Sequence, residues 1–89
     1  MQVQANHILV PSLSEAIQLQ TQLTEGVAFT DLAKQYSTCP SGANGGALGT
    51  FGPGQMVKPF EDATFALEVG KVSDPVETQF GFHLIQRTA

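Results

Sequence analysis

Along residues 2–10 the side chains alternate between two faces. Val3, Ala5, His7 and Leu9 share one face and Gln4, Asn6, Ile8 and Val10 the other, which predicts a central strand. Pro11 stops it, and Ser12 with Glu15 three residues later makes a capping box that opens a helix over 13–25. Leu13, Ala16, Ile17 and Leu23 fall at helical spacing, with Gln20 the only break in that apolar face, and Gly26 suits a left-handed cap. Phe29, Leu32, Ala33 and Tyr36 repeat the i, i+3, i+4, i+7 spacing, so a second helix covers 29–36.

The periodicity then lapses. Ser, Thr, Asn, Gly and Pro dominate residues 37–46, a composition that propagates neither helix nor strand and predicts a loop around Cys39. Residues 47–51 read as a short strand, Gly52-Pro53-Gly54 as a tight turn and Gln55-Met56-Val57 as another short strand. Pro59 can occupy the first turn of a third helix running to about Ala66, where its missing N–H costs nothing. Residues 76–78 and 82–88 form the arms of a terminal hairpin closed by Gln79-Phe80-Gly81, with the glycine supplying a positive φ. The order is strand, helices, strand, helix and two strands. It predicts an α+β domain over residues 1–89, with a mostly antiparallel sheet and helices packed around it.

Size and charge narrow the possibilities. At 89 residues the chain is one domain with little spare stability. One cysteine excludes an internal disulfide, and no paired Cys/His spacing suggests zinc, so apolar burial must hold the fold and no metal or cofactor is expected. Four basic against eight acidic residues, with the basic ones scattered, form no stripe to neutralise phosphates, so nucleic acid is not an expected partner. No signal-peptide pattern or membrane-length apolar run is present, and the expectation is a soluble, cytoplasmic monomer, with an excised domain of a larger exported protein as the alternative that would look the same.

Four polar groups stand out as candidate chemistry: His7, Cys39, Thr78 and His83. Each histidine lies in an apolar strand, and neighbouring first and last strands would bring the imidazoles together. They can be core residues satisfied by backbone or hydroxyl partners, or neutral relays that donate from one ring nitrogen and accept at the other. Cys39 lacks a nearby Lys or Arg in sequence, so a largely neutral thiol is expected, and a cysteine hydrolase is a minor rival in which a histidine serves as base. Leu48, Phe51, Met56, Phe60 and Phe65 are the apolar candidates. Phe51 and Phe65 read as core, whereas Met56 suits the rim of an irregular apolar cup.

His7-Ile8-Leu9-Val10, Ser37-x-Cys39-Pro40-Ser41-Gly42, Gly46-x-Leu48-Gly49-x-Phe51, Gly54-Gln55-Met56-Val57, Pro59-Phe60 and Thr78-Gln79-Phe80-Gly81-Phe82-His83 together resemble the parvulin family of peptidyl-prolyl cis/trans isomerases. The resemblance runs through essentially the whole chain in order. It implies a four-stranded antiparallel sheet surrounded by three to four helices, in the order βα3βαβ2. His7, Cys39, Thr78 and His83 would then be the polar active-site set, Leu48, Met56 and Phe60 the proline pocket, and Phe80 a rim residue. The implied partners are proline-containing peptides and unfolded protein clients. The branch that requires phosphorylated Ser/Thr before proline carries a basic cluster after the first strand, where this chain has the uncharged Pro11-Ser12-Leu13-Ser14. Phosphate specificity is therefore not expected, and the chain resembles the minimal stand-alone parvulins. The rival reading from another class is a non-catalytic module that uses the same groove to bind proline-containing chains.

Overall fold

A computed structural model describes residues 2–89 of the chain. Strand β1 (Val3–Val10) is central because both its faces carry side chains that need cover. It pairs antiparallel with β2 (Ala47–Phe51) on one side and with β4 (Gly81–Arg87) on the other, and β3 (Val76–Thr78) completes the order β2-β1-β4-β3. Helices α1 (Leu13–Thr24) and α2 (Phe29–Tyr36) follow β1, and α3 (Lys58–Ala66) lies between β2 and β3. The predicted α+β architecture is the one observed.

Alternation along β1 divides the core in two. Ile8 and Val10 pack with Ala16 and Leu19 of α1, Phe29, Leu32 and Ala33 of α2, and Leu84 of β4. Val3 and Ala5 pack with Phe51, Phe60 and Ile85. His7 lies opposite Ile85 and Leu9 opposite His83 in the β1–β4 register, so His7 and His83 are diagonal neighbours on one face. Gly46 lets β2 approach that point. The His7 N–H donates to its carbonyl (2.9 Å), and at its φ of +85° a side-chain carbon would overlap the His7 carbonyl oxygen.

Helix α1 starts as predicted, with the Glu15 N–H donating to Ser12 Oγ (3.2 Å), and Gly26 follows it with φ +100°. Its inward face differs from the expected one. Ala16, Leu19 and Leu23, at i, i+3 and i+7, turn toward the sheet, while Leu13 and Ile17 are 47% and 48% exposed. A helix this apolar on two adjoining rows has no single face in its sequence, and docking against Ile8 and Val10 selects one.

Two other expectations are corrected. Within the predicted 37–46 loop, Pro40–Asn44 forms a 3₁₀ turn, with the Gly42 N–H donating to the Cys39 carbonyl (2.9 Å). Gln55-Met56-Val57 is not a strand but the irregular approach to α3, because no neighbouring strand supplies a ladder there and Val57 becomes the residue before the helix. α3 begins at Lys58, and β4 is shifted one residue earlier than predicted, to Gly81–Arg87.

Candidate active site

The sheet face carrying His7 and His83 is the open one. A cavity of about 530 Å³ lies over it, bounded by β1, the Cys39 turn, the approach to α3 and the β3–β4 turn. His7, Cys39, Leu48, Met56, Phe60, Phe80 and His83 all line it. Thr78 does not, but its hydroxyl lies 2.7 Å from His83 Nε2. All eight residues singled out in the sequence thus come together at one place, seven in the wall and one behind it. Leu9, Thr38, Pro40, Gln55 and Val57 complete the wall, so among the described residues no Asp, Glu, Lys or Arg lines the cavity.

Phe60 and Phe80 sit at opposite depths of the cavity. Phe60 is 3% exposed and forms the floor, whereas Phe80 at the mouth is 61% exposed. Phe60 also meets both imidazoles edge to face, with ring centroids 5.5 Å from His7 and 5.2 Å from His83. The apolar floor and the imidazoles beside it therefore make one packed unit with the polar residues bonded to them.

Those polar residues form a continuous hydrogen-bond chain. His7 Nδ1 and His83 Nδ1 are 3.0 Å apart, His7 Nε2 lies 3.1 Å from Ser41 Oγ, and Ser41 Oγ lies 3.3 Å from Cys39 Sγ. At the other end Thr78 Oγ1 accepts the Phe80 N–H (3.2 Å). Both histidines are buried, at 5% and 4% exposure. Burial, and then the His83 charge, lower the His7 pKa from 6.5 to about 4; burial lowers that of His83. Two neutral rings sharing an Nδ1···Nδ1 contact need one N–H and one lone pair between them. With the Ser41 hydroxyl donating to Cys39 Sγ, His7 Nε2–H donates to Ser41, His83 Nδ1–H to His7 Nδ1, and the Thr78 hydroxyl to His83 Nε2. The tautomers are assigned from this pattern.

Ser41 is the site residue that sequence reasoning missed. Its signal was its place two residues after Cys39 in a Pro-Ser-Gly turn, which folds its hydroxyl back toward the thiol. The turn itself is pinned to the end of β1. The Thr38 N–H donates to the Leu9 carbonyl (2.8 Å), and the Leu9 N–H donates to Ser37 Oγ (3.1 Å). Cys39 is half-buried, and the group shown to approach its sulfur is a neutral hydroxyl.

Comparison with known proteins places the chain in a family. Residues 7–89 match the family model described as "Rotamase: PPIC-type PPIASE domain". The chain belongs to the PPIC-type, or parvulin, peptidyl-prolyl isomerase domain family. It is 54% identical over 87 residues to foldase protein PrsA of Geobacillus sp. (strain WCH70), covering 97% of this chain and 32% of that protein. Over 69 residues it is 55% identical to peptidyl-prolyl cis-trans isomerase Pin1 of Digitalis lanata, covering 78% of this chain and 58% of the other. The solution structure of NmPin, the parvulin of Nitrosopumilus maritimus, superposes with a TM-score of 0.89 at 45% identity and 99% and 96% coverage. The domain thus spans about a third of the length of its PrsA relatives and nearly all of the small archaeal parvulin.

Proposed function

We propose that this parvulin domain accelerates cis/trans rotation about Xaa-Pro bonds by a non-covalent route, with an apolar or neutral residue before proline. The observation that carries the reading is the uncharged cavity floored by Phe60, directly against a buried pair of neutral imidazoles. Amide resonance sets a barrier of about 18–20 kcal/mol and places partial charge on nitrogen and oxygen. Seating the pyrrolidine ring among Leu48, Met56 and Phe60 strips water from the amide and holds the ring while the preceding carbonyl turns. A gain of roughly 10⁴ to 10⁶ requires only about 5–8 kcal/mol of differential stabilisation. No bond has to break.

The histidines serve this reaction by staying neutral. A charged pair would be costly beneath an apolar floor, and every ring nitrogen already has a partner, so their task is to fix the shape of the wall. Cys39 borders the space where the carbonyl turns, as a polar neighbour that accepts from Ser41. Phe80 offers an exposed aromatic face to the residue before proline. The uncharged wall and the uncharged 11–14 segment give a phosphate nothing to pair with. The foldase name of the PrsA relatives supports unfolded, proline-containing chains as clients. Action as a monomer is part of this reading.

The test is two-dimensional NMR exchange on Xaa-Pro peptides with Leu, Phe, Glu or phosphoserine before proline. Leu and Phe peptides should interconvert fastest, and Cys39→Ser should keep appreciable activity. Binding without faster exchange would make the domain a passive module. A phosphoserine preference would overturn the specificity, and a trapped acyl-enzyme would overturn the non-covalent route.

A further inference from the structure

Met56 and Gln55 sit in the cavity wall on residues 52–57, a segment with no strand or helix of its own. Its internal bonds are local. The Gly52 N–H donates to Gln55 Oε1 (2.5 Å), and the Gln55 N–H reaches the Gly52 carbonyl at 3.4 Å. What ties its tip to α3 is the carboxylate of Glu61, whose Oε1 accepts the Gly54 N–H at 2.6 Å. Gly54 has φ +86°, a conformation that aims this N–H while a side chain there would be strained. The Glu61 side chain is only 14% exposed although the ion-pair partner of its other oxygen, Lys58, is 76% exposed and 3.7 Å away. Lys58 is also engaged at 3.0 Å with Asp62, so Glu61 is held mainly by the loop.

We propose that Glu61 is a positioning residue for the proline pocket, acting through the Gly54 N–H to keep the Met56 wall in its binding-competent arrangement. The inference rests on the isomerase reading of the cavity. A charge-assisted hydrogen bond is stronger than a neutral one, and here it is the side-chain bond that ties the exposed tip of the loop to α3, while Met56 and Val57 anchor its far end by packing. Without it the competent arrangement is populated only fractionally, and apparent affinity falls by that fraction. The wall grips the ring in the ground state and during rotation alike, so the loss belongs to binding rather than turnover.

Peptide-exchange rates measured over a range of concentrations of the preferred Xaa-Pro peptide should show Glu61→Ala raising KM roughly tenfold with kcat within about twofold. Glu61→Gln, which still offers an acceptor, should restore KM to within about threefold. Lys58→Met, which removes the ion pairs but leaves the Gly54 bond, should leave both constants unchanged. Amide hydrogen exchange should show Gly54 protected in the unaltered chain and in Glu61→Gln, and unprotected in Glu61→Ala. An unchanged KM in Glu61→Ala, or failure of Glu61→Gln to rescue it, would overturn the inference. If Glu61→Ala does not fold, an unprotected Gly54 amide in the unaltered chain overturns it instead. Absence of any accelerated exchange would end the isomerase reading, while Gly54 protection would still decide the clamp.

Discussion

The two faces of the sheet use neighbouring residues of the same strand for opposite purposes. On the helix-covered face Ile8, Val10, Leu84 and Leu32 are all at most 3% exposed and α1 and α2 close over them. On the other face α3 packs over Val3, Ala5, Phe51 and Ile85 and reaches as far as His7 and His83 through the single ring of Phe60. Beyond that point two buried imidazoles and the ring of Phe60 form the base of an open cavity. The closed face maximises apolar burial. The open face gives up burial and uses hydrogen bonds to keep its polar base rigid, because an unsatisfied imidazole under Phe60 would cost more than the cavity does.

The sharpest way to break this comparison is to cut into the closed face. Leu32→Ala should cost about 2–5 kcal/mol in urea unfolding while the remaining folded molecules keep their exchange activity. A loss of activity larger than the loss of folded protein would mean the faces are not independent.

The next test is acid. Folded His7 titrates near 4 rather than 6.5, so between those values the unfolded chain binds more protons and stability rises with pH. Stability should therefore be whole above about 6.5 and shed progressively as pH falls toward 4, by on the order of 3 kcal/mol from His7. Urea midpoints at pH 7, 5.5 and 4.5, with imidazole shifts followed by NMR, would check it. A His7 ring that protonates near 6.5 in the folded protein would contradict the neutral pair.

The smallest effect belongs to α1. Ile17→Gln should change stability by no more than about 0.5 kcal/mol, because Ile17 is 48% exposed beside the closed face rather than within it. A large loss would place Ile17 in the core, as its spacing alone suggests.

Much of this was written in the chain locally. The alternation of residues 2–10, the Ser12 cap, the 29–36 helix and the terminal hairpin depend on contacts within a few residues, and each formed close to where the pattern placed it. The side chains of the cavity were legible because their types are unusual in their contexts: histidines in apolar strands, a thiol in a Ser/Pro/Gly turn, a methionine before a helix. What local pattern could not decide was pairing and orientation. Which row of α1 faces inward, why Gln55-Met56-Val57 lacks a ladder, and how Ser41 and Glu61 reach their partners follow from elements distant in sequence meeting in space. Propensity and periodicity act over one or two turns of chain. The opposition of His7 to Ile85 and Leu9 to His83, which brings the two imidazoles into contact, is a property of the assembled sheet.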